Sequence, residues 1–149
     1  MKKRGFEKVS RVKNNKNYVL PKRSTKFSAG YDFFLHCNIE ILPGKKVVVA
    51  TGVKSYFLKD EALFIYPRSG LGFKFGVMLA NTVGIIDADY YNNSNNEGEI
   101  FVKLVNTSNK TVKLNKNDKF CQAVFQKFLL VDNDDVKQKR NGGMGSTGQ

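Results

Sequence analysis

Cysteine and histidine are scarce in this chain, and their scarcity limits the chemistry to be expected of it. The 149 residues include two cysteines, Cys37 and Cys121, and a single histidine, His36. A disulfide framework would need more cysteines in a shorter chain, and these three side chains do not make a convincing structural zinc site. We therefore expect two buried free thiols, and we expect any bound metal to be a hard ion held by oxygen, such as magnesium.

Long apolar segments are also missing. No run approaches the roughly 20 apolar residues of a membrane-spanning helix, and the basic N-terminus is not followed by the apolar stretch of a secretory signal. Amphipathic-helix periodicity is absent over any long segment, so helix should be limited to one short stretch at 70–75. The sequence therefore predicts a cytoplasmic protein with very little helix.

Short apolar runs rich in Val, Ile and Phe recur along the chain, and turn signals separate them. Closely spaced short strands of this kind are typical of a β-sandwich or β-barrel. We predict one all-β domain over residues 1–136, followed by an arm, residues 137–149, that is rich in glycine and too polar to fold by itself. The runs that predict strands are 38–42, 46–53, 62–66, 99–106, 111–114 and 120–131.

Positive charge is concentrated at the N-terminus. Residues 1–26 carry ten Lys/Arg and one acidic residue, whereas the rest of the chain carries fifteen Lys/Arg and twelve acidic residues. The formal net charge of the whole chain is +12. Such a segment could attract nucleic acid non-specifically, or it could form a solvated, lysine-rich edge strand that resists aggregation. We favour the edge strand and do not expect nucleic acid as a partner.

A first candidate site follows the predicted strand 62–66, in the sequence Pro-Arg-Ser-Gly-Leu-Gly at residues 67–72. Backbone N–H groups at a glycine turn can bind an anion. Arg68 adds a fork of donors and Ser69 adds a hydroxyl. By itself the sequence is only a weak phosphate signal, since a tight turn with a surface arginine would read the same way.

A second candidate site is the segment 81–90, where two carboxylates lie two positions apart beside an aromatic ring. If the segment is a strand, Asp87 and Asp89 share a face, and a carboxylate near a phosphate can take a proton from water. Asn81 offers a donor and an acceptor to a nucleobase edge. A plain hairpin, with aspartate in the turn and Tyr90 at the rim of the core, is the alternative.

The arm is the third candidate. Its glycines, together with Arg140, Ser146 and Thr147, could close over phosphates, although the segment lacks the lysine and the spacing of a P-loop. A disordered terminus is the alternative.

Read in order, these segments make the chain resemble the homotrimeric dUTPase family over nearly its whole length. The family has five motifs, and all five can be read here. They are Ala29-Gly30-Tyr31-Asp32, Pro67 to Gly72, Gly84 to Tyr90 with Asn81 just ahead, Asn117 to Gln122, and Arg140 to Gly148.

The resemblance implies a fold and an activity. The fold would be a jelly-roll β-barrel, assembled as a homotrimer with active sites at the subunit interfaces. The activity would be the Mg²⁺-dependent hydrolysis of dUTP to dUMP and pyrophosphate, which keeps uracil out of DNA and supplies dUMP for thymidylate synthesis.

The resemblance also implies a role for each motif residue. Asp87 would activate the attacking water, and Asp32 would help to place the magnesium ion through its water shell. The groups expected to read uracil and deoxyribose are Asn81, Gly84, Ile85, Ile86 and Tyr90. Those expected to hold phosphates are Arg68, Ser69, Gly70 and Gln122, with Arg68 also supporting catalysis. The arm residues expected to close over the substrate are Arg140, Met144, Ser146 and Thr147.

The chain departs from the family pattern in its arm, where Met144 stands at the position of a phenylalanine that stacks on uracil. Methionine is apolar and adaptable, but it is not a ring. We expect either poorer cover of the base or a substitute ring, with Tyr91 and Phe101 as candidates. A substrate-analogue complex with uracil stacked on neither ring would exclude the substitute.

A second departure is the 91–97 loop, which separates Tyr90 from Gly98 where the family reads Asp-Tyr-Arg-Gly-Glu. The expected arginine is absent. The loop could contact a neighbouring subunit or a protein regulator, or it could be an exposed surface insertion, which costs little entropy. We favour the insertion and expect that deletion of 92–96 leaves turnover nearly intact.

Two other functions compete with this interpretation. A dCTP deaminase shares the fold but carries a glutamate near the position of Lys103, where no acid is available; ammonia release from dCTP would decide for it. A non-enzymatic β-barrel that binds nucleic acid through its basic N-terminus would show salt-sensitive DNA binding and no pyrophosphate release.

Overall fold

A computed structural model describes residues 1–147, and in it the chain consists mainly of short antiparallel strands. This part of the chain contains twelve strands, one α-helix and two 3-10 turns. The strands are β1 Gly5–Lys8, β2 Lys22–Arg23, β3 Tyr31–Phe34, β4 Ile39–Ile41, β5 Lys46–Ala50, β6 Val53–Tyr56, β7 Glu61–Pro67, β8 Val77–Leu79, β9 Gly84–Ile86, β10 Phe101–Asn106, β11 Val112–Leu114 and β12 Lys119–Lys127. The helix α1 is Ser69–Phe75, and the 3-10 turns are Ser10–Val12 and Ala88–Tyr90.

Within residues 1–147 the strands form four hydrogen-bonded sheets. The largest has the order β2-β3-β12-β7-β9, a second has the order β5-β10-β8, and two ribbons pair β1 with β6 and β4 with β11. Every pairing is antiparallel. In the large sheet, β7 lies between β12 and β9, so it is flanked by the strands that carry two of the candidate motifs.

Alternating side chains from several sheets meet in one core. In β7, Leu63 and Ile65 are fully buried, and in β10, Val102 and Leu104 are buried while Lys103 between them is exposed. Strands with one buried and one solvated face produce this alternation. The strand predicted over residues 99–106 is therefore present as β10.

Several predicted elements have different bounds in the structure. The predicted run 46–53 covers β5 and only the first residue of β6, because the chain turns at Thr51 and Gly52, where Gly52 has a φ of 70°. Val48 is 55% exposed, since β5 lies at the edge of its sheet. The run 120–131 ends as a strand at Lys127. The five strands that sequence reasoning missed, β1, β2, β3, β8 and β9, are at most four residues long.

The prediction of two buried thiols is half wrong. Cys121 in β12 is fully buried, and burial raises the pKa of its thiol well above the usual value. Cys37 is exposed, because it lies in the bend between β3 and β4 and not in a strand. Among residues 1–147, no helix combines the length and the apolarity needed to cross a bilayer.

The basic N-terminal segment is anchored to the domain by two buried acids. The guanidinium of Arg4 donates to Glu61 at the start of β7, and the guanidinium of Arg11 donates to Glu99. Both carboxylates are almost inaccessible to solvent. Two of the N-terminal arginines therefore form ion pairs within the domain. Strand β1 is one strand of a two-stranded ribbon, in keeping with the predicted edge strand.

Candidate active site

A pocket of about 240 Å³ lies beside β9 and collects most of the residues predicted to read the nucleoside. Asn81 and all three residues of β9 line it. Its lining consists of Ile65, Leu79, Asn81, Gly84, Ile85, Ile86, Asp87, Tyr90, Phe101, Arg140, Met144, Gly145 and Thr147. Apolar walls with a few polar groups are typical of small-molecule sites.

Asp87 lies at the mouth of this pocket and is paired with the arm. Its Oδ2 accepts a hydrogen bond of 2.6 Å from Nη2 of Arg140, and Oδ1 of Asp89 accepts one of 2.9 Å from Nε of the same guanidinium. The two carboxylates do face one group, as predicted, but not because they lie in a strand. Asp87 follows the end of β9 and precedes the 3-10 turn Ala88–Tyr90.

Tyr90 forms the floor of the site. Its ring is buried, its hydroxyl donates to the Glu99 carbonyl at 2.7 Å, and burial raises the pKa of the phenol. The guanidinium carbon of Arg140 lies 5.6 Å from the centre of the ring, within the range of a cation–π contact. The guanidinium of Arg140 thus packs against a buried aromatic ring at the base of the pocket.

The arm lies over the pocket with Arg140 as its inner contact. Burial of Arg140 works to lower the pKa of its guanidinium, but the hydrogen bond to Asp89 and the charges of both aspartates raise it. Met144 and Thr147 line the pocket, and Met144 is 72% exposed. Ser146 touches Arg140 through a long 3.5 Å contact. Gly148, the last residue of the predicted motif, lies outside the described residues.

Of the two rings proposed to replace the stacking phenylalanine, only Phe101 lines the pocket. Tyr91 is directed elsewhere: its hydroxyl donates to the Glu7 carboxylate at 2.7 Å, and the Lys54 ammonium lies 5.2 Å from its ring centre. Tyr91 therefore does not line this pocket, and stacking on the base stays a prediction for both rings.

The residues predicted to hold phosphates form a separate cluster at the end of β7. Arg68 is paired with the buried carboxylate of Asp32 in β3. Gln122 in β12 lies opposite Asp32 in the strand register, and its Nε2 donates to the Pro67 carbonyl at 3.2 Å. Three motifs that are far apart in sequence thus meet because β3, β12 and β7 are neighbours in one sheet.

Ser69 and Gly70 complete this cluster by opening helix α1. Residues in the first turn of a helix have backbone N–H groups without intrahelical acceptors, and both residues are exposed. Gly30 approaches the glutamine of this cluster closely, because a Cβ there would lie 2.2 Å from Oε1 of Gln122. A side chain at position 30 would therefore displace the Gln122 amide.

The pocket and the phosphate cluster do not meet within one chain. Ile86 pairs with Leu63 of β7, and Asp87 continues away from Arg68. Arg68 is five residues beyond Leu63, so the two functional ends are separated by roughly 17 Å along the strand. None of Arg68, Ser69, Gly70 and Gln122 lines the nucleoside pocket. One chain therefore supplies two half-sites that open in different places.

The described residues do not form a metal centre of their own. No group of three or more His, Cys, Asp or Glu side chains is close enough to hold an ion in residues 1–147. Both oxygens of Asp32 already accept donors: Arg68 on Oδ1, and Ser24 at 2.5 Å and Lys119 at 3.2 Å on Oδ2. Asp32, whose two oxygens both accept protein donors, therefore does not fit a direct magnesium ligand within residues 1–147.

A small domain of antiparallel strands, with a pocket of about 240 Å³ lined by an asparagine and an aspartate and with a separate cluster around Arg68, is typical of nucleotide-processing proteins. The family model of dUTPase matches residues 16–148. The chain is 43% identical over 150 residues to the deoxyuridine 5'-triphosphate nucleotidohydrolase of Lactococcus lactis subsp. lactis (strain IL1403), with 99% of each chain covered. The chain belongs to the dUTPase family.

Solved structures agree with this assignment. The crystal structure of a dUTPase from Streptococcus mutans is 44% identical, with a TM-score of 0.78 over 86% of this chain and 98% of that one. A mutant dUTPase from phage phi11 of S. aureus, whose structure shows the coordination of a structural Mg(II) ion, is 20% identical with a TM-score of 0.72 over 92% and 98%. The predicted jelly-roll fold, family and enzyme class are confirmed.

Sequence reasoning missed the groups that support the motif residues. Lys119 and Ser24 complete the shell of donors around Asp32. Asn93 and Asn96 of the 91–97 loop hydrogen-bond to Tyr90. Lys119 and Ser24 give no local signal, because they are distant in sequence from each other and Ser24 is outside any strand. The asparagines could have been suspected from their abundance beside the GIIDADY motif.

Proposed function

We propose that this chain hydrolyses dUTP to dUMP and pyrophosphate, and that the carboxylate of Asp87 takes the proton of the attacking water. The observation that carries the proposal is that Asp87 lines the same pocket as Asn81 and the three residues of β9. Among the described residues only Oδ2 of Asp87 is engaged, so Oδ1 is open to a water molecule.

The proposed hydrolysis forms one bond to the α-phosphorus and breaks another. The water oxygen bonds to the α-phosphorus while the bond from that phosphorus to the bridging oxygen breaks. The water proton passes to Asp87, and pyrophosphate leaves. Asn81 and the β9 backbone read the uracil edge, and the buried ring of Tyr90 supports the deoxyribose and leaves no room for a 2′-hydroxyl. Ile85 and Ile86 supply the apolar wall.

The phosphates are held by the second half-site. Arg68, Ser69, Gly70 and Gln122 offer donors to the phosphate oxygens, and stabilisation of developing charge by preorganised donors is the main source of rate in such reactions. Magnesium, bound to the triphosphate as part of the substrate, offsets its negative charge. Asp32 would help to place such an ion through its water shell and not as a direct ligand, because both of its oxygens accept hydrogen bonds from protein donors. The structural Mg(II) ion of the phage enzyme supports a role for this metal in the fold family.

A complete site requires more than one copy of the chain. The roughly 17 Å between the two half-sites exceeds the reach of a triphosphate bound at one of them, so we propose a homotrimer in which Asp87 of one subunit faces Arg68 of another. The arm, residues 137–149, closes over the assembled site as a segment separate from the domain of residues 1–136. Arg140, Ser146 and Thr147 would then reach the far phosphates.

The physiological role follows from the reaction. Removal of dUTP keeps uracil out of DNA, and dUMP is a precursor for thymidylate. A cytoplasmic location fits an enzyme of soluble nucleotides. A protein regulator that binds the 91–97 loop has no support in the contacts of that loop, which are directed into the chain.

The test is pyrophosphate release from dUTP, dTTP, dCTP and UTP by the natural chain and by Asp87→Asn. We expect turnover of dUTP alone, reduced by at least about a hundredfold in the variant, the usual effect of losing a general base. Asp60→Asn, which changes an exposed aspartate that pairs with Lys127, is the matched control and should retain activity. Unchanged turnover in Asp87→Asn would refute the mechanism, and ammonia release from dCTP would indicate a deaminase.

A further inference from the structure

The 91–97 loop is tied into the active site rather than left free on the surface. Nδ2 of Asn96 donates to the Tyr90 hydroxyl at 2.9 Å, and Nδ2 of Asn93 donates to the Tyr90 carbonyl at 2.8 Å. The Tyr90 hydroxyl in turn donates to the Glu99 carbonyl. The phenol therefore has both its donor and its acceptor function satisfied, which fixes the plane and height of the ring.

The two asparagines hold each other in place as well. Nδ2 of Asn93 also donates to Oδ1 of Asn96 at 2.7 Å, and the same Oδ1 accepts from the Gly98 backbone N–H at 3.0 Å. Oδ1 of Asn93 accepts from the backbone of Asn95 and Asn96. In a partly buried network of this kind, the removal of one side chain breaks more than one hydrogen bond.

The ends of the loop are anchored to other elements. Nζ of Lys54 in β6 donates to Oδ1 of Asn92 at 2.6 Å, and the Glu97 carboxylate accepts from the backbone and hydroxyl of Ser10 at 3.1 and 2.7 Å. The hydroxyl and backbone N–H of Ser10 lower the pKa of the Glu97 carboxyl. These contacts hold the loop against the domain, so its inner side is a fixed surface.

The arm rests on that surface. Gly142 and Gly143 are both buried, although they belong to a terminal segment. A Cβ added at Gly143 would lie 3.1 Å from Nδ2 of Asn96, and one added at Gly142 would lie 2.9 Å from Nδ2 of Asn95. Because the two glycines have no Cβ, the arm backbone lies against the loop amides, and a side chain at either position would require those amides to move.

We propose that the 91–97 loop is a docking platform for the arm and that Asn93 and Asn96 are positioning residues, which set Tyr90 beneath the sugar and seat Gly142 and Gly143 above it. The inference rests on the proposed function, since it assigns the loop to the same site. It reverses the expectation from sequence that deletion of 92–96 leaves turnover nearly intact.

Asn96→Ala is the first test, with Ser94→Ala as the matched control. Ser94 lies in the same loop, is exposed, and forms no side-chain hydrogen bond within residues 1–147. We expect Asn96→Ala to raise KM for dUTP by about fivefold, the effect of losing one to two hydrogen bonds, with a smaller change in kcat. Because Tyr90 would lose its support, the preference for dUTP over UTP should also fall. Ser94→Ala should change neither quantity.

Gly143→Ala approaches the contact from the arm and leaves the loop intact, so it serves even if the loop variant folds poorly. It should raise KM in the same direction. In the double variant with Asn96→Ala, it should add little, because the amide that its methyl group crowds is gone; a double-mutant cycle measures this coupling. Independent, additive effects of the two substitutions would overturn the docking.

Trypsin reports arm docking without turnover, since Lys137, Lys139 and Arg140 all lie in the arm. The non-hydrolysable analogue dUpNHpp should protect these sites in the natural chain and in Asp87→Asn, but not in Asn96→Ala or Gly143→Ala. If the natural chain does not hydrolyse dUTP but dUpNHpp still protects its arm from trypsin, the proposed function is refuted and the docking platform is supported. An active natural chain in which Asn96→Ala matches Ser94→Ala in KM, selectivity and protection would refute the platform alone.

Discussion

At the scale of single residues, the site depends on side chains that are absent as much as on those present. Gly30 lies so close to Gln122 that a Cβ would meet its amide oxygen at 2.2 Å. Gln122 is half-buried and tied to the Pro67 carbonyl, so it has little freedom to withdraw. The Ala-Gly-Tyr-Asp motif therefore leaves space for the Gln122 side chain and also contains Asp32.

We expect Gly30→Ala to displace Gln122 and to raise KM for dUTP by about tenfold, equivalent to the loss of a charge-assisted hydrogen bond of about 1.4 kcal/mol. Steady-state kinetics measure the change, and thermal melting checks the fold. Gln122→Ala should give a similar KM by itself, and the double variant should be no worse than Gln122→Ala. A double variant with the sum of both losses would show that Gly30 acts through another group.

At the scale of elements, β1 and β7 are joined through a buried carboxylate. Glu61 opens β7 and accepts from the Arg4 guanidinium and from the Leu58 backbone N–H at 3.3 Å. The hydrogen bond from Arg4 lowers the pKa of the Glu61 carboxyl in the folded chain. The contact therefore favours the folded state wherever Glu61 is ionised.

This linkage predicts a pH-dependent stability difference. A carboxyl with a lowered folded pKa contributes stability that is present above its unfolded pKa of about 4.3 and is lost as the pH falls through the folded pKa. Urea unfolding at a fixed protein concentration should show Arg4→Ala to be less stable than the natural chain at pH 7, with the difference shrinking toward pH 3. Lys3→Ala is the control. A constant difference across this range would contradict the linkage.

Elements also show where sequence reasoning succeeded and failed. A short helix was predicted at 70–75, because the glycines and Pro67 mark a local change of structure there. In the structure, α1 begins one residue earlier, at Ser69. β9 was missed because three residues, Gly84–Ile86, carry too short a pattern to show periodicity. Its strand character comes from pairing with Leu63, Phe64 and Ile65 of β7, which no local pattern contains.

At the scale of the whole molecule, the separation of the half-sites predicts complementation. Arg68→Ala and Asp87→Asn should each be inactive as homotrimers. If the proposed trimer shares its sites, mixed trimers formed by co-refolding place an intact Asp87 beside an intact Arg68 in one site of three, so an equimolar mixture should recover about a quarter of natural activity by random assortment. The two variants mixed without subunit exchange are the control. No recovery after exchange would mean that one chain supplies both groups.

The sequence by itself determined the chemical groups and their order. It contains the arginine and serine of the second motif, the aspartate of the third and the glutamine of the fourth, and its short alternating runs imply antiparallel strands. These properties are local, because side-chain chemistry and the two-residue period of a strand can be read within a few positions.

Only the tertiary structure decided which of these groups meet. Arg68 pairs with Asp32, and Arg140 pairs with Asp87. Asparagines of the 91–97 loop hydrogen-bond to Tyr90, and the phosphate cluster is separated from the nucleoside pocket along β7. Contacts of this kind depend on strand order and register, which are set by burial across the whole domain, and so no single segment of the sequence encodes them.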